Sequence, residues 1–416
     1  MNYFEKNHIV YYGWIILSTA FVIRLMNSGL RISYGVFLPS LQADLGLSRS
    51  SVAGAAGLAL LVFAISQPLV GKLVDRFGPK KTIVFGTVLI GISYMLMSTI
   101  SNPFQLYLYY GLFAGLGFGA AASVPIAVLV TDWFRRRRAF AVSIAASGVG
   151  GGYPTIVPLS AFLILTIGWR SSYIVLAVLP LLVVLPLALL LIRKRPPNND
   201  QVGIQQPSKP LDNTKTSLKH LVRSRSFWLL TSAYVVCGFT VSFVEVHLVA
   251  LASDAGISPL IAAGALGIMG IPMIVGLLFA GVAVDRFGRK NPLALAYAIR
   301  GFSMLLLLST PTNTSLLAFV ILFGFVELMT IPPTTTLCRE IFGAKSMGLV
   351  YGIVYGGHQL GGALSSYLGG LVFDLMGSYT PMILLSILLL GFASTASYLI
   401  REPARESHSM IASNRI

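Results

Sequence analysis

The stretch Gly71-Lys-Leu-Val-Asp-Arg-Phe-Gly-Pro-Lys-Lys81 returns 210 positions later as Gly281-Val-Ala-Val-Asp-Arg-Phe-Gly-Arg-Lys290. Each copy lies between two long apolar runs, so each reads as a short charged turn joining hydrophobic helices, and the chain as a tandem duplication. Two weaker echoes keep almost the same offset. Trp133-Phe134 before a basic run recurs as Ile341-Phe342 before Lys345, and Gly168-Trp169 recurs as Gly377-Ser378. Internal symmetry of this size in an apolar chain is the mark of a membrane bundle built from two similar halves.

A soluble chain of 416 residues would divide into two or three domains, but 55% hydrophobic and 11% charged residues describe a membrane protein. The net charge of +16 would suggest nucleic acid in a soluble protein. Here its placement excludes that partner. Of the thirty Lys and Arg, twenty-five fall at alternate junctions between apolar runs or at the chain ends, and the intervening junctions hold only Arg49 and Arg170. This is the positive-inside pattern with both termini in the cytoplasm, and topology alone explains the basic loops, although Arg135 to Arg138 would also suit an anionic lipid surface. Cys237 and Cys338 both sit in apolar runs, so no disulfide framework is indicated. The first apolar run is too long for a signal peptide and is expected to stay as a helix.

Runs of about 20 residues, enough to cross the hydrocarbon core, fall at roughly 12–40, 50–71, 82–100, 105–131, 139–166, 170–192, 226–252, 259–283, 291–309, 314–338, 346–373 and 379–400. The predicted fold is therefore all-α: twelve transmembrane helices in two pseudo-symmetric six-helix bundles, 1–192 and 226–416 with a short cytoplasmic tail. The polar, Pro-rich segment 193–225 cannot bury a core and is read as the cytoplasmic linker. Glycines four residues apart, Gly115/Gly119, Gly148/Gly152 and Gly357/Gly361, suit close helix packing in lipid. The segment Gly148-Val-Gly-Gly-Gly152-Tyr-Pro154 lacks the Lys and Ser/Thr of a phosphate loop, so packing is its preferred reading.

The paired Gly-x-x-x-Asp-Arg-x-Gly-x-Lys turns resemble the signature of the major facilitator superfamily, and the resemblance covers the whole chain. Trp133-Phe-Arg-Arg-Arg-Arg-Ala139 with Ala141 and Gly148 is similar to the monocarboxylate transporter and oxalate/formate antiporter branch. So are Tyr12-Gly13-Trp14, Arg31 with Tyr34-Gly-Val-Phe37, His247-Leu248 with Asp254-x-Gly256-Ile-Ser258, and Phe373-Asp374 with Gly377-Ser-Tyr379. The resemblance implies an alternating-access carrier of a small organic anion, monocarboxylate-like and often proton-coupled in that branch. It also implies a conformational latch at the repeated turns: Gly71, Asp75, Arg76 and Gly78, and Gly281, Asp285, Arg286 and Gly288. In one respect the chain departs from the pattern. Characterised monocarboxylate carriers bear a substrate-binding Arg on the eighth helix, whereas Pro259 to Val284 holds no charge, which argues against lactate-like specificity.

Arg24, Arg31, Arg300, Glu245 and Glu327 lie inside predicted spans, with His247 and His358. Each intramembrane charge costs ~2.5–3.5 kcal/mol on insertion scales and needs a partner or a wet cavity. Arg24 and Arg31 are two turns apart on one face, with Asn27 and Ser28 between; at 1.5 Å per residue Arg24 lies ~18 Å deep, near the midplane, and Arg31 ~28 Å deep. A guanidinium grips a carboxylate with two parallel hydrogen bonds, so Arg24 is the first candidate for the anion clamp and Arg31, matching the family's first-helix cation, the second. The alternative for Arg24 is an acid on another helix. Glu245 comes to the level of Arg31, which predicts an Arg31–Glu245 pair that a proton or the substrate could loosen. Arg300 and Glu327 reach similar depths on successive helices and are expected to form a structural charge pair. Tyr351, Tyr355 and His358 share a face, with His358 level with Arg24. The tyrosines are candidate carboxylate donors and His358 a candidate for proton transfer or anion binding.

No enzyme motif, metal cluster or cofactor signature is present, and an enzyme is not expected. The rival readings are an efflux pump or antiporter for another small molecule, and a transporter-like sensor. The expected setting is a multi-pass protein of a bacterial inner membrane, acting as a monomer on a small organic anion and protons.

Overall fold

A computed structural model describes residues 12–134, 138–193, 218–308, 312–343 and 347–402. Among these there are helices and no strand, the outcome expected when every backbone polar group in an apolar environment must be satisfied within its own segment. Twelve helical rods follow one another. They are α1 (Tyr12–Leu45), α2 and α3 (49–77 and 79–97, within Arg49–Met97), α4 (Pro103–Trp133), and α5 and α6 (138–167 and 169–191, within Arg138–Leu191). The second half supplies α7 (Arg225–Asp254), α8 (259–287), α9 (290–307), α10 (Asn313–Phe342), α11 (Met347–Met376) and α12 (Thr380–Tyr398). Eight helices are long and apolar enough to cross a membrane, and two of these contain a pair of rods each. The remaining two rods are α9 and α11, whose apolar character is diluted by groups such as Arg300 and His358.

The expected turn between α2 and α3 is a single-residue break. Gly78 takes φ 82°, a conformation strained for any residue with a Cβ, and Pro79 starts the next helix, where its missing N–H costs nothing. The duplication is written in the backbone as well. Gly46, Gly78 and Gly168 have positive φ, and so do their counterparts Gly256, Gly288 and Gly377. The predicted linker lies mostly outside the described residues, apart from a short helix at Leu218–Arg223, as do Arg135 to Arg137 and both chain ends.

Within each half the glycine pairs bring backbones together. A Cβ at Gly148 or Gly152 on α5 would come within 2.5 Å and 2.6 Å of the Phe21 and Leu25 carbonyl oxygens of α1. In the second half a Cβ at Gly361 on α11 would lie 2.1 Å from the Val235 carbonyl oxygen of α7. Each half has its own apolar core. Ile65, Leu69, Leu182, Leu278, Val282 and Leu388 point outward, where a bilayer rather than water is their compatible solvent.

The halves cross at three places. Added Cβ atoms at Gly57 on α2, Gly35 on α1 and Gly270 on α8 would meet the carbonyl oxygens of Ala363, Glu245 and Gly150 at 2.8, 2.2 and 2.1 Å. These crossings seal the side away from the repeated turns. Toward the repeated turns the bundles part and leave a cavity between them.

Candidate functional site

The cavity has a volume of about 810 Å³ and is lined from both halves, by Arg24, Asn27 and Arg31 on α1 and by Glu245, Glu327, Tyr355 and His358 among others. Thr131, Ser143, Thr335 and Thr336, near the basic junctions, line its mouth. Seven sequence candidates therefore meet in one space. Tyr351 is absent from that lining and stacks on Tyr355, ring centroids 6.0 Å apart, behind it. Tyr355 in turn stacks on the His358 ring at 5.7 Å with an 8° interplanar angle, and His358 Nδ1 is 2.9 Å from Gln359 Oε1.

Arg24 has no ion pair and its guanidinium no hydrogen-bond partner among the described residues. Its acid on another helix, the alternative expected from the sequence, is not there. Asn27 spends its amide on the Phe118 carbonyl, 3.3 Å away, and Ser28 turns back to the Arg24 carbonyl at 2.8 Å.

Arg31 and Glu245 form the expected pair. Nη1 reaches Oε2 at 2.8 Å and Nη2 reaches Oε1 at 3.1 Å, two parallel charge-assisted bonds across the interface between the halves. Their meeting follows from the helix crossing: only a glycine at 35 lets α1 approach the backbone of Glu245 this closely.

Arg300 and Glu327 adjoin each other without forming the expected carboxylate–guanidinium pair. Pro332 and Pro333 remove two helical donors and break α10 into a 3₁₀ turn at Leu328–Thr330. Arg300 aims at that break: Nη2 donates to the Val326 and Glu327 carbonyls at 3.0 and 2.9 Å, and Nη1 contacts the Cys237 Sγ at 3.0 Å. The Glu327 side chain goes the other way, toward α5, where its Oε1 lies 3.1 Å from the Tyr153 hydroxyl. The same hydroxyl is 2.8 Å from Glu245 Oε1. Tyr153 and Cys237 escaped the sequence reading, Tyr153 because it sits in a glycine-rich segment explained by packing. The pointer to it was a Tyr at membrane depth, since a buried phenol needs a polar partner.

A second group of polar contacts closes the far side. Arg49 forms a two-pronged ion pair with Asp254, and its guanidinium carbon lies 3.6 Å from the Phe373 ring centroid. Arg49 Nη1 also donates to the Tyr379 hydroxyl at 3.2 Å. His247 is fully buried, with Nε2 2.8 Å from the Ser366 carbonyl and Nδ1 2.9 Å from the Tyr379 hydroxyl. A carbonyl accepts only, so Nε2 carries the proton and Tyr379 donates to Nδ1. Asp374, at the end of α11, accepts the backbone N–H groups of Arg49 and Ser50 at 2.9 and 2.8 Å and so caps α2, a helix of the other half. The sequence signals were Arg49, a lone cation at a junction with few basic residues, and the acids of the Asp254 and Phe373-Asp374 segments.

At the repeated turns Asp75 and Arg76 are exposed, and added Cβ atoms at Gly71 and Gly281 would meet nothing within 4 Å. The Asp285 side chain lies outside those described. The second turn is held by Glu402, which accepts from the backbone of Arg289 at 2.8 Å and of Lys290, while Arg289 pairs with Glu340.

Known proteins agree with this architecture. An uncharacterized MFS-type transporter of Bacillus subtilis, YcxA, is 26% identical over 96% of this chain and 98% of its own length. Mouse monocarboxylate transporter 12 is 29% identical over 94% of this chain and 84% of its own, and human monocarboxylate transporter 11 is 28% identical over 90% and 80%. Among solved structures, a bacterial homologue of the human lysosomal transporter Spinster, in an inward-facing and occupied conformation, superposes with a TM-score of 0.76. It shares 14% identity over 94% of this chain and 97% of that one. The family model of the Major Facilitator Superfamily matches residues 17–273 and 232–412. With that match spanning both halves of a duplicated twelve-helix bundle, the chain is a multi-pass membrane transporter belonging to the major facilitator superfamily.

Proposed function

We propose that this transporter is a proton-coupled carrier of a small organic anion, with Arg24 as the clamp that receives the carboxylate. The observation that carries the reading is a guanidinium at membrane depth that lines the central cavity and has no ion-pair partner among the described residues. A cation in that position is costly unless a wet cavity or an arriving anion answers it. Tyr355 and His358 on the facing helix supply further donors. Arg31 is the second contact, held by Glu245 until a proton on that carboxylate releases it; protonation thereby exchanges one partner of Arg31 for the substrate. The names of the relatives, monocarboxylate transporters among them, support the substrate class. The charge distribution supports a cytoplasmic position for the basic side, so the open cavity corresponds to an inward-facing state. A bacterial inner membrane, both termini in the cytoplasm, two six-helix halves joined by a cytoplasmic linker, and action as a monomer complete the reading. The volume of about 810 Å³ favours, as a second reading, an anion bulkier than lactate.

The test is uptake of labelled lactate, pyruvate, acetate, oxalate and formate, with bulkier aromatic acids, into proteoliposomes with and without an inward proton gradient. One of these should accumulate with the gradient. Charge-assisted hydrogen bonds contribute ~1.5–3 kcal/mol, so Arg24→Gln should weaken apparent affinity about 10- to 150-fold. Arg24→Lys, which keeps the charge without the fork, should fall between. Uptake unaffected by Arg24→Gln refutes the clamp, and no movement of any acid refutes the substrate class.

A further inference from the structure

Tyr153 stands between two carboxyl groups with one hydrogen to give. Its hydroxyl oxygen is 2.8 Å from Glu245 Oε1 and 3.1 Å from Glu327 Oε1, and a phenol has a single O–H. Only one of these contacts can be donated by the tyrosine. The other needs a hydrogen of its own, and the only group able to bring it is a carboxylic acid.

Which carboxyl carries it follows from the remaining oxygens. Glu245 takes one N–H of Arg31 on each oxygen, the pattern of an ionised carboxylate. Glu327 is buried, and its Oε2 has no hydrogen-bond partner among the described residues. A buried ionised carboxylate with one oxygen unanswered would be expensive; a neutral acid there costs far less. Arg300, the nearest cation, is turned to the main chain and to Cys237 rather than to this carboxyl. The other polar groups around it are Tyr153 on α5, Glu245 and Cys237 on α7 and, across the cavity, Arg24 and Arg31 on α1 with Tyr355 and His358 on α11. From α8 there is none, because Pro259 to Val284 holds no charged residue.

We infer that Glu327 is the resident proton carrier of this transporter and that Tyr153 relays its proton to Glu245. In the structure as it stands, Glu327 Oε1–H donates to the Tyr153 oxygen and Tyr153 O–H donates to Glu245 Oε1. The relay moves both hydrogens one step: the proton of Glu327 passes to the tyrosine oxygen as the tyrosine's own passes to Glu245. Glu327 is left as a carboxylate, Tyr153 is unchanged, Glu245 becomes the acid, and Arg31 loses its anionic partner. Glu327 lines the cavity, so it can be reloaded from the side on which the cavity opens. The role of this proton in driving transport rests on the carrier reading above; its location does not.

The experiment is therefore one in which no substrate moves. Infrared difference spectra of the purified full-length protein in lipid, recorded across a pH titration, report the carbonyl stretch of any protonated carboxylic acid. The wild type should show such a band at neutral pH. Glu327→Gln should abolish it, Glu245→Gln should keep it, and Tyr153→Phe should shift its frequency and its titration midpoint by removing the hydrogen-bond acceptor. Tyr153→Phe also serves where Glu327→Gln fails to fold. A band that survives Glu327→Gln, one that disappears with Glu245→Gln, one that ignores Tyr153→Phe, or no band in the wild type at neutral pH each overturns the assignment. Failure of every acid to move in the transport assay would leave this result standing, so the two readings fail separately.

Discussion

Replacing Arg49 by Gln should unlatch the closed side without unfolding the protein. The side chain makes three interactions that bridge the halves: the two-pronged pair with Asp254, the stack on Phe373 at 3.6 Å, and a hydrogen bond to the Tyr379 hydroxyl from the same Nη1 that reaches Asp254, counted here with that pair. The Arg49 side chain is 9% exposed but that of Asp254 is 38% exposed, so the pair is discounted toward the surface range of ~1 kcal/mol. The cation–π contact adds ~1 kcal/mol. Asp374 accepts the backbone N–H groups at 49 and 50, which the substitution leaves in place, so its cap survives. The loss of ~2 kcal/mol corresponds to about a 30-fold shift toward the state open on this side. Spin labels at Ala43→Cys and Ser258→Cys, exposed positions in opposite halves on this face, would read that population as a longer distance in electron–electron resonance. Adding Asp254→Asn to Arg49→Gln should produce little further change, because the pair is already broken. A distance distribution identical to wild type in Arg49→Gln would refute the argument, as would a full additional shift in the double variant.

Two further outcomes concern packing and buried charge. Gly270→Ala places a Cβ 2.1 Å from the Gly150 carbonyl oxygen; overpacking of this kind costs ~1–3 kcal/mol, and the thermal unfolding midpoint in detergent should fall. Gly281→Ala, with nothing within 4 Å, should leave that midpoint unchanged, and equal behaviour of the two variants would contradict the crossing geometry. Cys237→Ala deprives Arg300 Nη1 of its partner at 3.0 Å, which costs ~1–3 kcal/mol for a buried donor. Cys237→Ser should recover part of that loss, and a Cys237→Ala midpoint equal to wild type would show that the thiol does not answer the guanidinium.

The architecture was legible because apolar run length and a repeated turn are both one-dimensional signals. The Arg31–Glu245 pair was legible for a related reason: α1 and α7 are duplicated elements, so equal rise along each gives equal depth. The same counting brought Arg300 beside Glu327 but misjudged which atoms meet, since Pro332 and Pro333 break the helix there and redirect the carboxyl toward Tyr153. Depth along a helix is readable from spacing; azimuth after a break is not. The Arg49 cluster was hidden for another reason. Its partners Asp254 and Tyr379 lie more than 200 residues away in the other half, and which helix ends face each other is decided by how the halves dock.

Two ion pairs that join the halves among the described residues, Arg31–Glu245 and Arg49–Asp254, differ in what they sense. The Arg49–Asp254 pair has one partner substantially exposed and lies within reach of dissolved ions, whose screening length at physiological strength is about 8 Å. The Arg31–Glu245 pair has its carboxylate buried, with that side chain 6% exposed, and screening reaches it weakly. Under the proposed proton coupling, the transporter has two locks in series that answer to different solutes, the rim to ionic strength and the centre to protons. Raising salt should hasten the opening of the rim while leaving the central release step unchanged, so that a change in medium alone resolves the cycle into its two halves.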